Sequence, residues 1–114
     1  MKVKIHEVIK NYKGKPYGFI EDGKRVEMTV RDALNEAING YEVVGDRQVP
    51  LTSEEKGRIY QLSTKLWSAT QEVDFTPEEI VFIKERAGKV VNVDPLVNGR
   101  IGELFEEKVK KEAK

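Results

Sequence analysis

From Tyr17 to Met28 apolar and polar residues alternate, with Tyr17 and Phe19 before Glu21-Asp22-Gly23-Lys24 and Val26 and Met28 after it. A period of two around an Asp-Gly pair predicts a β-hairpin, because that dipeptide accepts the positive φ of a tight turn. A lone hairpin is marginal in water, so this one is expected to lie on other elements. Ahead of it, Val3 and Ile5 suit a strand, while Ile5, Val8, Ile9 and Tyr12 keep helical spacing. A short strand or extended arm running into one or two helical turns is expected, ended by Gly14 and Pro16.

After Met28 the period lengthens. Thr29 and Asp32 form a helix-start signal of capping-box type, and Val30, Ala33, Leu34, Ala37 and Ile38 follow at helical spacing until Asn39-Gly40. Tyr41 to Pro50 holds Val43, Val44 and Val49 around Gly45-Asp46, which suits a second short hairpin or a surface loop; the loop is favoured because no long strand fits. A second helix starts at Thr52 with Glu55 as reciprocal partner, carries Ile59, Leu62, Leu66 and Trp67 as its apolar stripe, and runs to about Ser68. The third has Thr76 as cap, Pro77 at the first position, Glu79 as partner and Phe75 placed to staple against Ile80, and is expected to end at Gly88. A fourth starts at Asp94-Pro95, and Val97, Ile101, Leu104, Phe105 and Lys108 make a stripe that fades into charge. The pattern predicts an α+β fold, mainly α, with an N-terminal β-hairpin packed on three to four amphipathic helices. It reads as a single domain over residues 1–114: arm and hairpin over 1–28, helices over 29–107, and a frayed charged tail over 108–114.

Composition narrows the chemistry. There is no cysteine, which excludes disulfides, thiolate metal sites and cysteine nucleophiles. No run approaches the roughly 20 apolar residues of a bilayer span, and residues 1–7 lack the apolar stretch of a signal peptide, so a cytoplasmic protein without a membrane partner is expected. Twenty basic residues balance twenty acidic ones, yet residues 1–25 hold seven Lys or Arg against three Asp or Glu.

His6 is the only histidine, and no metal-ligand spacing surrounds it. The carboxylate pairs Glu54-Glu55 and Glu78-Glu79 fall in first helical turns, where the macrodipole favours negative charge. Neighbours on a helix point about 100° apart, so neither pair converges on one substrate; Glu106-Glu107 and the turn pair Glu21-Asp22 carry no stronger signal. Asp22-Gly23 lacks calcium-loop spacing, and Gly14, Gly18 and Gly23 make no phosphate loop. No catalytic centre, metal or cofactor is expected. Arg58, Lys65, Arg86 and Arg100 read as solvated helix residues.

Two candidate surfaces remain. Lys4, Lys10, Tyr12, Lys13 and Lys15 combine phosphate-binding cations with a stacking ring, the material of a nucleic-acid surface, although Tyr12, Tyr17 and Phe19 read more readily as the buried face of the hairpin. Trp67 reads as a core anchor that would become an interface hot spot if left uncovered, with Tyr60, Leu104 and Phe105 as companions.

Five stretches are familiar together: Val8-Ile9-Lys10-Asn11-Tyr12-Lys13-Gly14-Lys15-Pro16, Met28-Thr29-Val30-Arg31-Asp32-Ala33-Leu34, Leu51-Thr52-Ser53-Glu54-Glu55-Lys56, Val73-Asp74-Phe75-Thr76-Pro77-Glu78-Glu79-Ile80 and Pro95-Leu96-Val97-Asn98-Gly99. In this order the chain resembles small uncharacterised proteins of tailed bacteriophages and prophages. The resemblance implies a setting inside a bacterial cell and carries over no site residue. The expectation within that setting is a non-enzymatic interaction module acting on a phage or host protein, or self-associating. A nucleic-acid-binding accessory of phage replication and a structural component of the virion are the alternatives.

Overall fold

The computed structural model describes residues 1–112, with side chains described as far as Glu106. The fraying tail expected over 108–114 lies outside the described side chains. In order along the chain come β1 (Lys2–Lys4), β2 (Gly18–Glu21), β3 (Lys24–Glu27), α1 (Val30–Asn39), β4 (Val43–Val44), β5 (Arg47–Gln48), α2 (Ser53–Ser68), β6 (Glu72–Asp74), α3 (Pro77–Lys89) and α4 (Pro95–Glu112). The fold is α+β and mainly helical, with N-terminal strands.

Local chemistry sets the helix starts. Thr29, Thr52 and Thr76 are each the N-cap of a reciprocal box, with Asp32, Glu55 and Glu79 respectively returning a bond to the cap backbone. Asp94 serves α4 by accepting the Val97 N–H at 2.8 Å. Each box satisfies two of the four N–H groups that a helix leaves unpaired at its start. The hairpin β2–β3 closes with Glu21 opposite Lys24, and Asp22 and Gly23 take the positive φ of 50° and 77° that its two-residue turn requires.

The helices assemble around α1, which packs against α2 and α3; α4 packs on α3 and touches α1. Val30, Ala33, Leu34, Ala37 and Ile38 form the buried face of α1. Ile59, Leu62 and Leu66 come to it from α2, Phe82, Ile83 and Ala87 from α3, and Val97, Ile101 and Phe105 from α4. Antiparallel β1–β6 closes one end, with Val3 opposite Val73 and both buried while Lys2, Lys4, Glu72 and Asp74 face outward. Tyr17 and Phe19 are half-buried against the core, which seats the hairpin on the helices.

Four details differ from the sequence reading. Residues 5–17 form no helix; bridges from Val8 to Thr29 and from Lys10 to Pro16 pair the flanks of a turn at Tyr12-Lys13. Tyr41 to Pro50 contains the short hairpin β4–β5, its positive φ falling on Gly45. Strand β6 forms where no element was expected. Finally, α3 runs through Gly88 to Lys89 and is capped at Val90, whose N–H donates to the Arg86 carbonyl.

Candidate functional site

On α2 the buried stripe is Ile59, Leu62 and Leu66, and Trp67 turns away from it. One residue is 100° of helix, so the neighbour of a core leucine lies at the core's edge or beyond. Trp67 is 51% exposed and Tyr60 73% exposed. Seven residues are almost two full turns, so the two rings share one face about 10 Å apart along the axis. The Trp67 ring is held in place: the Arg31 guanidinium lies 5.2 Å from its centroid, and its Nε1–H donates to Asn35 Oδ1 at 3.0 Å. Arg31 is fixed in turn by donating to the Ala69 carbonyl. Asn39 ties the same stretch of α1 to α2 by donating to Ser63 Oγ at 2.9 Å and to Asn35 Oδ1 at 3.0 Å. The outcome is a rigid, half-exposed indole on the α1–α2 face with a phenol on the same side of α2. The other two candidate interface residues differ. Phe105 is 1% exposed and meets Phe75 edge-on at 6.1 Å, which makes it a core residue and removes it from any surface; Leu104 is half-buried against that core.

One carboxylate of each helix-start pair is engaged locally. Glu55 accepts the Thr52 N–H at 2.9 Å and Glu79 accepts the Thr76 N–H at 2.8 Å. The Thr52 backbone and hydroxyl hold the Glu55 carboxyl below its usual range, helped by Lys89 and Arg86. Burial pushes Glu79 up, but the Lys65 ammonium at 2.8 Å and the Thr76 N–H outweigh it and leave its pKa lowered. Among the described residues no three His, Asp or Glu side chains gather as a metal-ligand group. His6 is an exposed residue whose Nε2 meets the Thr70 carbonyl.

No protein family, curated protein or solved structure matches this chain. No helix among the described residues is long and apolar enough to cross a membrane.

The second surface belongs to the loop between Ile9 and Tyr17. Tyr12 is 80% exposed, so it is not part of the buried hairpin face with which it had been grouped, and Lys10, Lys13 and Lys15 are exposed around it. Lys4 stands apart on β1, paired in register with Glu72.

Two arginines expected in solvent have structural tasks. Arg86 is 1% exposed, and its Nη2 donates to the Ile38 and Gly40 carbonyls at the C-terminal end of α1. It supplies the positive charge there that α1 lacks in its own last turn. Arg100 reaches from α4 to the Lys10 and Asn11 carbonyls at 2.8 and 2.7 Å and pairs with Glu103 at 3.0 Å. Spacing held a clue to Arg86: it stands three residues beyond Ile83 and four beyond Phe82, on the core stripe of α3.

Proposed function

We propose that this chain is a non-enzymatic interaction module of the phage or prophage type, acting on a phage or host protein inside the bacterial cell. The single observation behind this reading is the Trp67 indole, half-exposed yet fixed by Arg31 and Asn35. A large ring already held in one orientation loses little freedom when a partner covers it, which favours tight association. Tyr60 extends the same face, and the polar rim of Asn35, Asn39 and Ser63 suits the edge of a protein interface, whose centre is typically aromatic and whose rim is polar. The non-enzymatic part is supported by Glu55 and Glu79, whose carboxylates are engaged in helix caps. The phage setting is supported by the five stretches that resemble phage and prophage proteins.

Affinity isolation from phage-infected cells tests the reading. Tagged wild-type chain retains a partner protein, and Trp67→Ala weakens that partner by about 30-fold or more, the loss typical of a hot-spot residue. A partner held equally by wild type and Trp67→Ala, with both chains folded, sinks the proposal.

A further inference from the structure

The loop from Lys10 to Lys15 is built more firmly than a connector needs. The Asn11 N–H donates to the Lys15 carbonyl at 2.7 Å, and the Gly14 N–H donates to the Asn11 carbonyl at 3.0 Å. The Asn11 side chain accepts the Lys13 and Lys15 N–H groups at 2.9 and 3.0 Å. Gly14 takes φ +80° with open space around it, which lets the chain reverse within these few residues. Below the loop, Arg100 grips the Lys10 and Asn11 carbonyls from α4, and the Tyr17 N–H donates to the Ile9 carbonyl at 2.8 Å. All of this backbone order presents a ring that is itself 80% exposed.

The loop itself carries charge of one sign, with Glu7 and Glu103 lining the groove beneath Tyr12. Residues 8–20 contain three lysines and no Asp or Glu. Lys10, Lys13 and Lys15 enter no ion pair among the described residues. Arg25 joins them from β3, its Nη2 donating to the Pro16 carbonyl at 3.1 Å. Glu103, at the base of the loop, is taken up by Arg100.

We propose that this loop binds single-stranded nucleic acid, with the Tyr12 ring stacking on one base and Lys10, Lys13, Lys15 and Arg25 meeting the flanking phosphates. An aromatic face beside free cations matches the two features every single strand offers, an open base face and a phosphate chain. A duplex keeps its base faces stacked on one another and offers this ring nothing. The order already present in the loop means that binding need not arrange its backbone. With contacts only to π-faces and phosphates, the grip is indifferent to sequence. This surface is separate from the Trp67 face and stands or falls independently of it.

The test is fluorescence anisotropy of a labelled 20-nucleotide thymidine strand with the full chain, over a salt series from about 25 mM. Affinity falls with salt at a log–log slope of about −3, as four phosphate contacts on a single strand require. Tyr12→Ala weakens binding about 5- to 100-fold while Tyr12→Phe keeps it, since stacking needs the ring and not the hydroxyl. Lys13→Gln flattens the slope by roughly 0.7, whereas Lys56→Gln on exposed α2 changes nothing. All three side chains are exposed, so the variants fold, which circular dichroism checks. The proposal is overturned by no binding at the lowest salt, by Tyr12→Ala binding like wild type, by equal affinity for a duplex of the same length, or by binding to anionic phospholipid vesicles in place of the oligonucleotide.

Discussion

Replacing Arg86 by Met sets two large effects against each other. The buried guanidinium donates to the Ile38 and Gly40 carbonyls, and its own Nε finds no acceptor. A hydrogen bond from a charged donor contributes about 1.5–3 kcal/mol, and a buried carbonyl left without a donor costs about 1–3 kcal/mol. Against this, Met removes a buried charge and an unpaired N–H and keeps most of the packing. Replacing a buried charged group by an apolar one can be neutral or stabilising when its partners are replaced too. Here the partners are backbone carbonyls at the end of α1 and cannot be replaced, so the loss wins. Arg86→Met is expected to lower stability by about 2–4 kcal/mol, roughly 8–16 °C in Tm for a domain of this size. Urea titration followed by circular dichroism measures it, with an unchanged m-value showing that the unfolded state is unaltered. Stability equal to or above wild type would refute the account of Arg86 as the group that terminates α1.

Glycine substitutions separate crowding from backbone freedom. A Cβ at Gly40 would lie 2.1 Å from Asn92 Oδ1 and 2.7 Å from the Glu36 carbonyl, so Gly40→Ala destabilises in a urea melt. Gly57, inside α2 with open space around it, becomes more stable by about 0.5–1 kcal/mol as Ala. The Tyr17 hydroxyl donates to Asp94 Oδ2, and this bond, with burial and the Asp94 charge, pushes the phenol's pKa above its ordinary value of 10.0. Protonated Tyr17 is thus favoured in the folded state: its stabilisation, about 1 kcal/mol against Tyr17→Phe, is complete at neutral pH and is lost as pH rises past 10 through the folded pKa. Denaturant melts of both proteins at pH 7 and at pH values above 10 check that the gap closes only at the alkaline end. Asn35→Ala, by freeing the indole N–H, raises acrylamide quenching of the only tryptophan; unchanged quenching would show that Asn35 does not hold the ring.

What the sequence disclosed was local. Three helix starts were legible because a cap and its partner sit three residues apart, the fourth because Asp94 precedes Pro95, and the Asp22-Gly23 hairpin because its turn needs positive φ at adjacent residues. The unread parts depend on contacts distant along the chain. Strand β6 holds one apolar residue, Val73, and exists because it meets Val3 some 70 residues earlier. Ile5, Val8, Ile9 and Tyr12 have helical spacing by coincidence, since partners at Thr29 and Pro16 draw that segment out. A charge on a helix is ordinarily solvated, which disguised Arg86 although it stands on the core stripe. Trp67 was assigned to the buried stripe through its neighbour Leu66, and a single helical step separates core from surface there. Phe105 fits both the apolar stripe and a list of interface aromatics, and only its packing against Phe75 assigns it to the core.

The most direct test of the interaction reading places a photoreactive amino acid at Tyr60, beside Trp67, and in a second protein at Val81, which is 55% exposed on α3. On illumination of infected bacterial cells the account predicts one discrete protein adduct from position 60, lost when Trp67→Ala is added, and none from position 81. Adducts of equal yield at both positions, or none at position 60, would contradict the claim that the α1–α2 face around Trp67 is where this protein meets its partner.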